Sequence, residues 1–562
     1  MMSTTRLLAR PMLVAVAFAV LAACNAGPGV RESEPTATRA PEALLADGDA
    51  ALERGDVREA SGAYLQAALG SEDEAVAEQA TRVAFGNFQL QDATRAAERW
   101  LALNPSSEEA RRYAGVAALE LHRLDTAEQH FADLIETAYL SPAAGFLALL
   151  PVIADQGTPA DVTELFQRLS ARHPAVAEGR YVVGSAALRS ENYALAQRSA
   201  EDAVRLATYW VPARMLLARA QIATGQEEAG LATARELVTA PEADIATHLE
   251  YALLLASTGR DEEARAMLVP YATGRTVVPG ALRSLGILDL QHGDLDAASA
   301  RFEALLSTGS QSYEALYYLG IIAERRKDPE RALRYFARVT GGDLELPAQQ
   351  RIARIKAEQS GLEAGLAHLE EFGRGRTESG PDIIAARAGL LSAFGDERRA
   401  LGVLDAGIER YPDSTDLRMA RVFAYERVAR NDAAVNELRG LLRQRPGDPV
   451  VENALGYTLA DQGRQLDEAG RLVASALEQM PDSAAVLDSM GWVLFRRGKT
   501  AEALEYLERA RRQGDDAEID LHLGEVQWAL GDKAGARKTW QEALERHPDA
   551  KTLEQRLERA GP

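Results

Sequence analysis

Gly498-Lys499-Thr500 is the stretch of this 562-residue sequence that comes nearest to nucleotide chemistry. A G-x-x-x-x-G-K-[ST] loop holds phosphates with successive backbone N–H groups, and it needs a strand before it and a helix after it. Here six residues rather than four separate Gly491 from Gly498, and no strand-like run precedes them, so the loop cannot close around a phosphate. The eight histidines are scattered, and no two stand at the H-E-x-x-H spacing that places two imidazoles on one helix face for zinc. His122 falls at a turn, and His173 and His547 each precede a proline, as surface or turn histidines do. There is no G-x-S-x-G elbow. The 84 carboxylates are too dispersed to single out an acid–base pair and read as solvated helical faces. These residues nominate no catalytic group, no metal site and no cofactor, and an enzyme is not expected.

Cys24 is the one cysteine in the chain. Alone it forms no internal disulfide and supplies no cysteine-ligated zinc site. It closes a segment with Arg6 and Arg10 at the front and a 13-residue apolar stretch, Pro11–Ala23, behind them. That stretch is shorter than the ~20 residues a spanning helix needs, and the pattern fits a secretory leader over residues 1–23. Leu21-Ala22-Ala23-Cys24 resembles a bacterial lipobox, which implies cleavage before Cys24 and acylation of its sulfur and amine. Acyl chains contribute about 0.8 kcal/mol per buried CH₂, so two or more chains anchor stably. Residue 25 is Asn rather than Asp, which favours the outer over the inner membrane under enteric sorting rules. Residues 24–40, polar and rich in Gly, Pro and Thr after the cysteine, read as the lipidated N-terminus and a flexible tether. No later segment is long and apolar enough to span a bilayer.

The elements behind these residues must be helices. The chain is 46% hydrophobic and 26% charged but only 6% aromatic, and alanine is abundant. That mixture suits packed helices over a β-sandwich. Removal of the leader takes Arg6 and Arg10 with it and leaves 61 basic against 84 acidic side chains, a net charge near −23. No basic stripe is present, so nucleic acid is not expected as a partner, nor is a small-molecule substrate.

From residue 41 onward the sequence repeats. "LGIIAERRKDPERALRYFARV" (319–339), "MGWVLFRRGKTAEALEYLERA" (490–510) and "LGEVQWALGDKAGARKTWQEA" (523–543) share a Gly, a turn residue seven later, Ala five after that and a large apolar residue four further on. Starts fall near 143, 177, 211, 245, 279, 313, 347, 381, 415 and 449, each 34 residues apart. Looser copies start near 41, 77 and 108, and two more near 484 and 517 follow a one-residue insertion around Gln465. The weakest copy is 347–380, where "FGRGRTESGP" (372–381) reads as an irregular loop. Small residues at repeat positions 8 and 20 let two helices approach closely, and the bulky residue at 24 fills the gap against the next unit. One unit cannot bury its apolar face alone, so the units must stack.

This period and pattern resemble the tetratricopeptide repeat. The resemblance implies an all-α fold: a right-handed solenoid of about 15 helix–turn–helix repeats over 41–548, closed by a capping helix over 549–562. Gly491 and Gly498 are then repeat positions 8 and 15 rather than a phosphate loop. In such arrays positions 2, 5, 9, 12 and 13 of the first helix line a concave partner-binding surface. Carried over, they select Met419, Phe423, Glu426 and Arg427, then Asn453, Tyr457 and Asp461. Further along they select Asp488, Trp492, Phe495 and Arg496, and finally Glu525 and Trp528. Aromatic and arginine side chains dominate interface hot spots, so the expected partner-binding set is Phe423, Arg427, Asn453, Tyr457, Trp492, Phe495, Arg496 and Trp528.

Residues 453–507 are also similar to the C-terminal half of a group of proteobacterial outer-membrane lipoproteins built almost wholly of these repeats. That resemblance implies a lipid-anchored, periplasm-facing adaptor that binds a carboxy-terminal processing serine protease and gathers its substrates, notably murein hydrolases, for cell-wall remodelling. The alternative is an assembly or export scaffold for outer-membrane proteins or exopolysaccharide.

Overall fold

The computed structural model describes residues 39–273, 277–376 and 380–561. The proposed leader, Cys24 and the tether through residue 38 lie outside the described residues. Residues 40–562 form one unit. Its described residues hold 31 α-helices and no strand. They pair into 15 antiparallel helix–turn–helix repeats, with Lys551–Ala560 as a last single helix.

First helices begin at Pro142, Ala177, Val211, Ile245, Pro279, Ser312, Glu345, Gly380, Thr415, Pro449, Ala484 and Ala517. They follow the 34-residue spacing to within two residues. The early copy expected near 77 starts at Glu74, where the Asp73 side chain accepts from the Ala75 N–H at 3.0 Å. The irregular stretch expected over 372–381 is narrower, because one helix runs through Gly373 and the next opens at Gly380. Repeat 10 departs from the pattern because its first helix, Glu345–Ser360, is long and a single residue, Gly361, makes the turn.

Local chemistry sets the ends of these helices. Several second helices are capped by aspartates at one repeat position. Asp294, Asp328 and Asp396 accept from the N–H groups of Ala297, Arg331 and Arg399 at 3.0, 2.9 and 3.2 Å. Each such cap contributes about 1 kcal/mol. The residue just before the cap takes a left-handed backbone to reverse the chain. Glycine does this without strain at Gly293 and Gly498, where φ is 76° and 79°. The inserted residue of repeat 13 lies in the same turn, at Gln465 with φ 48°.

The core is a strip along the array. Gly286 leaves room for Phe302 of its own repeat, since an added Cβ would stand 2.8 Å from that ring. Phe302 also stacks on Tyr318 of the next repeat, with ring centroids 4.8 Å apart. Position 24 therefore packs within its repeat and across to the neighbour. Gly491 packs against Leu507 in the same way, and an added Cβ there would meet Leu507 at 2.6 Å.

The array also closes on itself. Loops between repeats 11–12, 12–13 and 13–14 touch the turns of repeats 2, 3 and 5. The Gln89 side chain donates to the Arg410 carbonyl at 3.0 Å, and Gln91 donates to Asp413 from its backbone and its side chain, at 3.2 and 3.1 Å. The Asp482 N–H donates to the Glu191 carbonyl at 3.1 Å, and the Tyr193 N–H donates to the Asp482 carboxylate at 3.1 Å. Between them lies a buried polar knot. Arg445 donates to Asp448 at 2.6 Å, to Asp161 at 3.2 Å and to the Glu120 carbonyl at 2.6 Å. His122 bridges Asp161 at 2.7 Å and the Pro446 carbonyl at 3.0 Å. Contacts more than 280 residues apart thus join successive turns of the superhelix along a seam.

Candidate functional site

The first helices of repeats 12 to 15, Thr415–Arg427, Pro449–Asp461, Ala484–Arg496 and Ala517–Ala529, stand side by side. They enclose a groove of about 870 Å³. Each element contributes by its period. Met419, Phe423 and Glu426 are spaced four and three apart and so project from one face. Asn453, Tyr457 and Asp461 do the same one repeat later, and Asp488 and Glu518 follow. Phe423 and Val450 are exposed apolar side chains in this lining.

Polar contacts fix the floor. The Tyr457 hydroxyl donates to Glu518, which ties repeat 13 to repeat 15. The Thr458 hydroxyl donates to Glu426 at 2.8 Å. Burial pushes the Tyr457 hydroxyl well above its ordinary pKa, and the Glu518 charge adds to the rise. Burial likewise raises the Glu426 carboxyl; the Thr458 hydrogen bond opposes this, while Asp461 and Glu518 add to it. Beside the groove His522 is 4% exposed, with Nδ1 3.0 Å from both oxygens of Asp488. Burial works against the charge on His522, but the charge and hydrogen bond of Asp488 outweigh it and raise the pKa.

The residues expected from the sequence fall into four groups. Phe423, Asn453 and Tyr457 line the groove together. Trp492, Phe495 and Arg496 sit next to it: Trp492 stacks on His522 with centroids 4.1 Å apart, Phe495 lies 5.4 Å from it, and the Arg496 guanidinium lies 5.5 Å over its ring. Arg427 lies 3.8 Å from Glu397. Trp528 is elsewhere, half-buried against Trp540 at 5.9 Å, with Lys533, Arg537 and Arg556 over its ring. The sequence reading missed Glu518, the pairing of His522 with Asp488, and the seam residues Arg445, Asp161 and His122. His522 and Asp488 are 34 residues apart, which is one repeat, so the periodicity carried that signal. No periodicity announced the seam.

Two stretches, residues 283–343 and 489–551, match the family model described as Tetratricopeptide repeat. The chain carries tetratricopeptide repeats in these stretches. The TPR repeat-containing protein PA4667 of Pseudomonas aeruginosa is 34% identical to it over 213 residues, covering 38% of this chain. That match spans 36% of the Pseudomonas protein's own length. Among solved structures, a tetratricopeptide-repeat protein from Parabacteroides merdae is 17% identical over 45% of this chain and 100% of that one, with a TM-score of 0.35. TTC0263, a thermophilic protein of Thermus thermophilus, is 20% identical over 32% of this chain and 98% of its own, at 0.30. Yeast Tom70 is 14% identical over 92% of this chain and 95% of its own, at 0.31. The all-helical tetratricopeptide solenoid is typically a protein-interaction scaffold, with a concave surface along which partners bind.

Proposed function

We propose that the chain is a non-enzymatic scaffold lipid-anchored through Cys24 to the outer membrane and facing the periplasm. On this reading it holds a carboxy-terminal processing serine protease together with substrates such as murein hydrolases. The observation that carries the scaffold reading is the groove across repeats 12–15, which four consecutive first helices line and in which Phe423 and Val450 stand exposed among polar side chains. Such a surface contributes binding energy through a few anchors surrounded by a polar rim. The lipobox-like Leu21–Cys24 and the polar run after it support the anchor. The similarity of residues 453–507 to repeat-built outer-membrane lipoproteins supports the adaptor role.

Affinity purification from detergent-solubilised envelopes, read by mass spectrometry, tests the role. Recovery of a serine protease with murein hydrolases is expected. Recovery of barrel-assembly or export components alone would overturn it. Metabolic labelling with an alkyne fatty acid tests the anchor: label on the wild type and none on Cys24→Ser is expected, and equal labelling would exclude Cys24 as the acylated residue.

A further inference from the structure

The groove of repeats 12–15 carries a charge pattern that the expected arginine and tryptophan surface does not describe. Seven carboxylates line it, from Glu191, Glu426, Asp461, Asp488, Asp515, Asp516 and Glu518, with no Lys, Arg or His among the lining residues. Three of them are already engaged. Asp488 faces His522. Asp515 is met by Arg546 at 2.8 Å and His547 at 3.1 Å. Asp516 accepts from the Glu518 N–H at the start of its helix, at 2.7 Å. Glu426 and Glu518 accept only hydroxyl hydrogen bonds, from Thr458 and Tyr457. Asp461 has a single cation, Arg496, at 3.9 Å. Glu191 is brought to the groove from repeat 5 across the seam. Burial is the main cause of the raised pKa of Glu426, and the charges of Asp461 and Glu518 add to it.

The groove is not merely acidic. Phe423 is 51% exposed and Val450 39% exposed, and Met419, Val422 and Ile519 complete an apolar wall. A concave, low-dielectric wall focuses the field of unpaired carboxylates, and the apolar side chains give a hydrophobic contact beside them.

We propose that this groove holds a cationic segment of another protein, with arginine or lysine side chains against Glu426, Asp461 and Glu518 and an apolar side chain on Phe423. Two other occupants lack the complementary charge. The chain's own residues 25–40 carry two arginines and two glutamates and are neutral, and a second copy carries a net charge of −21. The inference rests on the scaffold reading above and gives its partner a chemistry.

Fluorescence anisotropy with the full-length protein in detergent tests it. The probe is an octapeptide of alternating arginine and leucine; octapeptides of alternating glutamate and leucine, and of arginine and serine, are the comparisons. The arginine–leucine probe is expected to bind in the micromolar range and to weaken severalfold as salt rises from about 50 to 300 mM, as screening of exposed charges requires. Glu426→Gln with Glu518→Gln should weaken it at least tenfold while keeping both hydroxyl hydrogen bonds. Phe423→Ala, at an exposed position, should weaken it comparably without altering the circular dichroism melt. Glu262→Gln with Glu263→Gln, outside the groove, should leave it unchanged. Equal binding by the groove variants, equal binding of the glutamate–leucine peptide, or displacement by micromolar spermidine would each overturn the proposal. Self-association abolished by Phe423→Ala would also overturn it, by making a second copy the occupant.

Envelope capture separates the two readings. Should the groove variants recover the same proteins as wild type, the groove inference fails and the scaffold stands. Should wild type bind the peptide yet recover no protein, the groove chemistry stands and the scaffold fails.

Discussion

At the scale of single residues, the array depends on missing atoms. Gly286 faces Phe302, and a Cβ placed there would stand 2.8 Å from the ring. Ala332 and Ala298 are fully buried where paired helices approach. Gly286→Val should therefore overpack its repeat by about 1–3 kcal/mol, seen as a lower urea midpoint with little change in helical content. An unchanged midpoint would mean that the ring has space to retreat. The residue scale also explains which site residues were legible. Phe423, Asn453 and Tyr457 could be placed from their register because each repeat turns the same positions to the same side. Trp528 has the same register, but the cationic side chains of Lys533, Arg537 and Arg556 gather on its ring. Those contacts follow from the end of the array and its last helix, which a repeat pattern does not describe.

At the scale of elements, the turn within each repeat demands one left-handed residue. Most repeats use glycine, but Phe88, His122, Glu191, Lys327 and Ala429 adopt φ between 53° and 58°. A non-glycine residue there costs about 1–2 kcal/mol. Three of the five lie on the seam: Phe88 packs against the cluster of repeats 10–12, His122 enters the polar knot, and the Glu191 carbonyl accepts from Asp482. At these turns the strain coincides with contacts that only a side chain or a fixed backbone can make. Ala429 packs no such side chain, so Ala429→Gly should raise the unfolding midpoint by the equivalent of up to ~1 kcal/mol. His122→Gly should lower it despite the same relief of strain. The pair compared by urea unfolding checks the assignment, and equal signs would refute it.

At the scale of the whole molecule, nearest-neighbour stacking would give an open spring, and the seam adds contacts between its coils. Arg445, Asp161 and Asp448 are almost wholly buried, and their charges balance only together with His122. Removing one partner of a buried set costs about 3–5 kcal/mol. Arg445→Ala should thus part the coils, raising the radius of gyration in small-angle scattering and lowering the melting temperature. Unchanged scattering would show that the neighbouring loop contacts hold the seam without it.

The seam should also respond to pH. Burial opposes the charge on His122, but Asp161 and the Pro446 carbonyl outweigh it, and its pKa in the fold is raised. A raised histidine contributes stability fully below its ordinary pKa of about 6.5, and that contribution is lost as pH rises through the raised value. His522 acts in the same sense. Urea midpoints should therefore fall as pH rises above about 6.5, and the slope should flatten in His122→Asn with His522→Asn. A slope that stayed the same would place the titrating groups elsewhere.

The sequence by itself determined the repeat. Its 34-residue period, its small positions and its helix punctuation are local properties, and each repeat meets nearly the same neighbours, so one reading serves for all. It determined the helical class, the approximate helix boundaries and the face on which the groove residues lie. Tertiary structure decided what happens between residues nine repeats apart. The small rotation from one repeat to the next accumulates around the superhelix, and only the accumulated angle decides which loop meets which turn. Arg445 in a loop and Asp161 in a helix look like solvated charges in sequence, and they become a buried pair because the coils close at that angle. The acidity of the groove has the same cause: its carboxylates are scattered along the chain from Glu191 to Glu518, and folding brings them to one wall.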